Sequence, residues 1–500
     1  MKKESAPMFY RSLTALVLAL LMLLSAVSCG DSSASDETAS GAQTDAAETQ
    51  TETEAPTLES VTASYADRDY DGYVFRVGVR DEVNWETYDV IAEELTGEAI
   101  NDAVYNRNTI MEENMNIKIT EIRHGRPATN LSQSVTAGTD DYDTVTDGLF
   151  IAAPLVAQNM LLDYRDISTI HPSEFYWDPL IYEDCSIAGK SFMMTGDISI
   201  MDNAGTWCMM FNKDLIRDHG LESPYELVNE GKWTLDKMGE MASAVLTDTD
   251  GDGKWTANDI YGFVTEEYNT AALWSCAGLK ILSKDDKDIP YYTYNGERSF
   301  DVLSKVIDIQ YAPYTNMGSG STVIHGGINA EGDSREKQFA FGKALFYYAG
   351  MINITNMRAF DTDFGVIPAP KYDEAQEEYW SNYSNGNFTI YVIPSTCCDA
   401  LMIGDIMDAM ANISAYTLTP AYYEQTLLGK STRDEESRPM IELILKTRNF
   451  DLGLVYSTGN VVGAFVNLRD TGNISSTFAS LDNAAGADLE KLIEDIEKVN

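Results

Sequence analysis

Apolar and other residues alternate from Tyr73 to Val79, which predicts a strand with one face in a core. From Thr96 to Asn116 the period changes, and Ile100, Ala103, Val104 and Met111 recur at helical spacing. Asn116 to Ile122 alternates again, Asp143 to Thr146 reads as a short strand, and Phe150 to Leu162 as an apolar helix. Strand, helix, strand, helix at this spacing predicts βαβ units, a mostly parallel sheet covered on both faces. The pattern restarts with strands at Lys190 to Met194 and Trp207 to Phe211, then helices from Lys213 and from Thr234. Leu235, Met238, Ala242 and Val245 stripe the latter helix, with Thr234 as its N-cap. From Asp399 onward the chain reads as mainly helical, ending in an amphipathic segment from Asp488 to Val499. An α/β body of two lobes follows, each lobe a mostly parallel sheet flanked by helices, with a helical C-terminal part.

The first residues follow a different logic. Lys2, Lys3 and Arg11 precede an apolar run from Leu13 to Ala26. That run is about 14 residues, short of the roughly 20 that span a bilayer, so residues 1–28 read as a signal peptide. Ser25-Ala26-Val27-Ser28-Cys29-Gly30 resembles the lipobox of bacterial lipoproteins, although Ala26 stands where Leu is usual. The resemblance implies that Cys29 becomes a diacylated N-terminus, with palmitate-type chains anchoring the protein to the extracellular face of the cell membrane. Plain secretion after an Ala-x-Ser site is the alternative. Gly30 to Ser64 has no Lys, Arg or aromatic residue and eight acids, so residues 29–64 are expected to form a disordered, self-repelling tether.

Composition narrows the function. Of 500 residues, 44% are apolar and 23% charged, as in ordinary globular proteins. The sign is lopsided: 35 Lys and Arg against 79 Asp and Glu give −44. Such a chain lacks the basic footprint that a phosphate backbone requires, so nucleic acid is excluded as a partner. Besides Cys29 there are Cys185, Cys208, Cys276, Cys397 and Cys398, an odd number without framework spacing, which read as free thiols.

Phe211 to Leu215, then Gly220-Leu221, then Gly231 to Leu235 resemble the solute-binding proteins of ABC importers, extracellular family 1, of the maltose-binding type. The resemblance continues through Asp248 to Phe263 and Phe341 to Phe346. It includes Asp363 to Pro370, as the strand leading back to the first lobe, and upstream Asp143 to Tyr164. It covers most of residues 70–400, while the last hundred match poorly and Ser283 to Arg335 is expanded. The implied fold is the two-lobed periplasmic-binding-protein (Venus flytrap) fold, with ligand in the cleft. Lobe 1 would comprise residues 65–200 and about 350–395; lobe 2 would take about 201–349 and part of 396–500. The implied function is capture of an oligosaccharide by lobe closure, by a monomer that delivers it to ABC permease subunits. A cationic solute such as a polyamine is the second ligand class. A sensing lipoprotein uncoupled from transport is the second function. By position in the family pattern, ligand contacts are expected at Trp85, Asp147, Trp274, Asn353, Tyr383 and Asn385. Gly350-Met351-Ile352-Asn353 lacks the Trp of maltodextrin binders, and Asp202 and Asn203 at the first crossover suit a hinge or a ligand contact.

Asp248 to Asp259 matches an EF-type calcium loop. Asp248, Asp250 and Asp252 fall at positions 1, 3 and 5, Gly253 makes the turn, the Lys254 carbonyl serves at 7 and Asp259 closes at 12. Trp255 is the apolar anchor. A structural Ca²⁺ is therefore expected, with a plain Asp/Gly turn as the alternative. Enzymatic signatures are weak: His124, His171, His219 and His325 are scattered, and no phosphate loop or nucleophile elbow occurs. A glycoside hydrolase carboxylate pair is the remaining enzymatic alternative.

Overall fold

A computed structural model describes residues 56–81, 86–256, 258–319, 322–323, 334–357, 360–423, 435–468 and 473–499. The signal peptide, Cys29, Trp85 and His325 lie outside the described residues. The tether expectation reaches into them at one end, because Leu58–Ser64 is a helix with Thr57 as its capping box. Leu58, Val61 and Tyr65 give it an apolar stripe that packs into the first core.

The opening alternation forms β1 (Tyr73–Arg80), with Phe75, Val77 and Val79 wholly buried. The helix Ala99–Met115 ends at Asn116, whose left-handed φ of 48° turns the chain into β2 (Ile117–His124). After the helix Pro127–Ala137 comes β3 (Thr144–Gly148), then the helix Leu149–Ala157. β1 pairs in parallel with both β2 and β3, the geometry that βαβ units impose. Lys190 to Met194 does not form a regular strand. Its backbone makes isolated bridges, one from Met194 to Tyr391, so it lines the first sheet.

The second sheet opens with β4 (Trp207–Asn212), buried at every position. It gains β5 (Tyr261–Glu266) after the helix Leu235–Val245, whose N-cap Thr234 accepts a hydrogen bond from Lys237 N. A hairpin of β6 (Leu282–Lys284) and β7 (Pro290–Tyr292) stands apart from it. β8 (Thr315–Ser319), β9 (Thr322–Val323), β10 (Ala344–Gly350) and β11 (Phe364–Ile367) complete the order β11-β4-β10-β5-β8-β9. The β10–β5 and β5–β8 pairs are parallel and the others antiparallel, so this sheet is mixed. Phe364 to Ile367, expected on the way back to the first lobe, pairs with β4 and stays in the second. The return is β12 (Thr389–Val392), antiparallel to β3.

Among the described residues, two chain crossings between the lobes touch backbone to backbone. The first is the helix Met201–Gly205, the second residues 382–388. Trp207 N donates to Asn382 O at 2.9 Å, and Ser384 N to Gly205 O at 2.9 Å. A Cβ at Gly205 would lie 2.8 Å from Phe388 Cα, and one at Gly148 would strike the Gly386 carbonyl. C-terminal helices Ser437–Lys446, Leu452–Tyr456, Val461–Val466 and Ile474–Glu497 then pack against both lobes. One apolar cluster therefore runs from Val145 and Leu149 through Phe450 and Phe465 to Phe263 and Phe346.

Gly205→Ala should destabilise the protein by about 1–3 kcal/mol, because the contact is with backbone that has no rotamer to yield. Gly486→Ala, in the last helix with open space around it, should instead gain up to about 1 kcal/mol. Equal melting temperatures for the two variants would contradict the close crossing.

Candidate functional site

The junction between the lobes is held by one guanidinium. Arg448 reaches Asp178 at 2.5 Å and Asp202 at 3.3 Å, and its plane lies over Phe388 and Phe450 at 5.6 and 5.9 Å. Asp178 is also the N-cap of the helix Pro179–Asp184, accepting from Leu180 N. Asp202 thus spends a carboxylate oxygen on Arg448. Burial pushes its carboxyl up to about 7, with Arg448 opposing and Asp178 adding to the rise. Nearby Asp451 is wholly buried and accepts from Ile281, Leu282 and Gly453 N–H groups; burial outweighs these bonds and raises it to about 6.

Beside these ion pairs lie buried polar groups without partners. Trp207 Nε1, Tyr268 Oη, Asn269 Oδ1 and Asn385 Oδ1 are buried with no hydrogen-bond partner among the described residues. Buried polar groups are ordinarily paired, and an unpaired one costs about 1–3 kcal/mol. Tyr268 and Asn269 follow β5 directly, and the Trp207 and Tyr268 rings are 6.3 Å apart. Asn385 approaches from the second crossing, its Nδ2 donating to Leu454 O.

Asn382 connects this region to an open cavity. Its side chain donates to Ser275 Oγ, and the Ser275 carbonyl accepts from Asn449 Nδ2 at 3.1 Å. Asn449 lines a cavity of ≈ 680 Å³ between the helix Pro179–Asp184 and the segment 278–293, floored by Trp380 and residues 446–449. That volume suits a small ligand. Both Asn449 N–H groups are taken by the Ser275 and Leu279 carbonyls, leaving Oδ1 as an uncommitted acceptor among the described residues. Ser283 and Thr293 hydroxyls, 3.2 Å apart, also line it, as do Lys280 and Asp184, paired at 3.1 Å. The Trp380 indole edge lies against Gly278, where a Cβ would come within 2.9 Å of Nε1 and φ is +75°.

Of the residues expected at the cleft, Tyr383 and Asn385 meet at this junction. Tyr383 is buried against Phe450, with ring centroids 4.7 Å apart, and its hydroxyl accepts from Asp451 N. Asp147 sits on the first-lobe side, paired with Arg80 at 3.2 Å and accepting from Ala128 and Gly148 N–H groups. Its oxygens are engaged by its own chain. Trp274 is core: it is fully buried, edge-on to Phe465, and donates to Ser299 Oγ. Asn353 lies apart, donating to Gly350 O. Its helix Ile352–Asn356 borders a smaller cavity of ≈ 400 Å³ shared with Tyr88, Asn101 and Ala204. Trp207, Tyr268, Asn269, Trp380 and Asn449 were not anticipated. For Tyr268 and Asn269 the signal was available, since they occupy a strand-to-helix step.

In the acidic loop, carboxylate oxygens of Asp248, Asp250 and Asp252 lie within 4.8 Å of one another. Asp259 is absent from that group; it turns inward to accept from Thr249 and Thr256 N–H groups and braces the loop. Lys254 N donates to Asp252 Oδ1, and Trp255 packs on Tyr261 at 5.8 Å. The five cysteines of the body are unbridged, and Cys185, Cys208 and Cys276 are buried.

No protein-family model matches the chain, and no curated protein matches it in sequence. Solved structures do. A sugar transporter from Rhizobium etli in an open conformation superposes with a TM-score of 0.55 at 13% identity, covering 86% of this chain and 100% of the other. The GacH receptor of Streptomyces glaucescens, studied with acarbose, gives 0.50 at 12%, covering 86% and 100%. An ABC substrate-binding protein from Listeria monocytogenes, in complex with cycloalternan, gives 0.50 at 12%, covering 86% and 99%. The chain therefore has the fold of the maltose-binding type of substrate-binding protein.

The raised carboxyls of Asp202 and Asp451 make stability depend on pH. Folded, they hold protons that an unfolded chain, with carboxylates near about 3.9, has released. Their contribution is complete below about pH 4 and lost as pH rises through the folded values of about 6 and 7. The melting temperature should fall between pH 5 and 8, and Asp202→Asn should lessen that fall. A slope untouched by this substitution would count against the assignment.

Proposed function

We propose that this chain is the substrate-binding lipoprotein of an ABC importer, binding an oligosaccharide between its lobes and releasing it unaltered to permease subunits. The observation that carries this reading is the cavity between the lobes, lined by Trp380, Asn449, Ser283 and Thr293. Sugar hydroxyls both donate and accept, so a ligand in the cavity can pair with Asn449 Oδ1 and with the Ser283 and Thr293 hydroxyls. Trp380 offers an indole face to the C–H-rich face of a sugar ring. The similar structures solved with acarbose and cycloalternan bind ligands of this chemistry. In this reading Cys29 carries the acyl chains and holds the monomer at the outer membrane face, and the tether lets it sweep past its permease.

The test is a thermal-shift and calorimetry screen across a glycan panel, with the glycan recovered and weighed for integrity. We expect binding without hydrolysis, and Trp380→Ala should weaken it at least tenfold, about 1.4 kcal/mol. Hydrolysed product, or wild-type affinity in the Trp380 variant, would sink the reading.

The acidic loop fits a structural Ca²⁺ in its three clustered carboxylates, hard oxygens of the type the ion prefers. With a Kd of roughly 10⁻⁴ to 10⁻³ M, 10 mM calcium should stabilise the protein by about 1.4–2.7 kcal/mol. Asp250→Asn with Asp252→Asn should abolish that gain. An unchanged melting temperature with calcium and with chelator would reject the site.

A further inference from the structure

We infer that the larger cavity selects an anionic sugar, a uronate-bearing oligosaccharide whose carboxylate meets Lys280, Lys446 and Arg448 while Trp380 takes a ring face. This deepens the oligosaccharide reading and rests on it. The chain has 35 basic residues against 79 acidic ones, yet the cavity lining reverses that ratio. Three of its residues are basic and one, Asp184, is acidic. Asp184 is bonded to Lys280 at 3.1 Å and offsets one of these cations, leaving the lining formally positive.

Arg448 adds the sharper observation. Its terminal nitrogens are held by Asp178 and Asp202, but its Nε is buried with no acceptor among the described residues. A buried guanidinium with one N–H unspent calls for an oxygen acceptor. The neighbouring wall supplies what the rest of a sugar needs: the Asn449 Oδ1 acceptor and the Ser283 and Thr293 hydroxyls. A charge-assisted bond inside a cavity also outweighs a neutral one, because water competes less. The geometry thus turns the polyamine alternative around: the body is acidic, and the cavity is not.

The experiment uses the full-length chain and three probes: trigalacturonate, a neutral galactose trisaccharide and spermidine. Calorimetry should give trigalacturonate a Kd at least tenfold below that of the neutral sugar, rising with added salt. Lys280→Gln with Lys446→Gln should erase that preference. Asp184→Asn, which releases Lys280 without removing a cation, should tighten trigalacturonate binding; melting curves establish that both variants fold. Equal or tighter binding of the neutral sugar would overturn the anionic assignment while leaving the oligosaccharide reading intact. Binding of no sugar at all, or of spermidine alone, would overturn both.

Discussion

A guanidinium taken out of water costs several kcal/mol unless its partners are in place, and Arg448 is such a group. Its two carboxylates come from different parts of the chain: Asp178 from the first lobe, Asp202 from the first crossing. Its faces rest on Phe388 of the second crossing and on Phe450 of the C-terminal segment. Four segments, distant in sequence, are therefore fixed by one requirement of charge. Removing either carboxylate leaves a buried cation short of compensation, which is the costly way to break a buried pair. Gly205 packs on Phe388 in the same place, where Arg448 contacts Asp202 of the first crossing and Phe388 of the second.

The same junction carries polar atoms that nothing satisfies. Trp207, Tyr268, Asn269 and Asn385 each bury a donor or acceptor that is unpaired among the described residues. The junction as described thus carries a penalty of about 1–3 kcal/mol per group. In the proposed binding cycle, opening would let water relieve these groups and would separate surfaces that the apolar cluster joins, and a ligand that favours one state would shift the balance. A difference of about 5.5 kcal/mol between the states is enough to carry the population from one extreme to the other. A few recovered hydrogen bonds are of that order.

Local pattern made the strands β1 to β4 and the helix Leu235–Val245 legible, because alternation and helical stripes report burial directly. Burial does not say what does the covering. The apolar run at Lys190 to Met194 reads like a strand, yet it lies against Tyr391 through a single bridge. Phe364 to Ile367 reads equally well as a strand of either lobe, and pairing with β4 decides it. Trp274 looked like a cleft aromatic and is core, since Phe465, almost two hundred residues later, closes over it. Trp380 and Asn449 carried no local signal: their position depends on contacts with Gly278, Ser275 and Leu279. The acidic loop was legible to the extent that spacing sets geometry; Asp259 departs because its oxygens found nearer N–H groups in the loop.

Charge is the last constraint to place. A chain of −44 repels any anion at long range, but salt screens exposed charges within about 8–10 Å. Contact forces in a cavity are screened far less. An acidic surface and a basic pocket are therefore compatible: the surface sets how slowly an anionic sugar arrives, and the pocket sets how long it stays. Pairing Lys280 with Asp184 across the lobes serves both ends. In the absence of ligand it keeps the cation from standing alone beside Arg448, and a ligand carboxylate can take over the lysine once inside. Arg448 cannot be spared in this way, since its acids also hold the crossings together. Selectivity and closure thus converge on the same residue, one nitrogen of which is still unpaired.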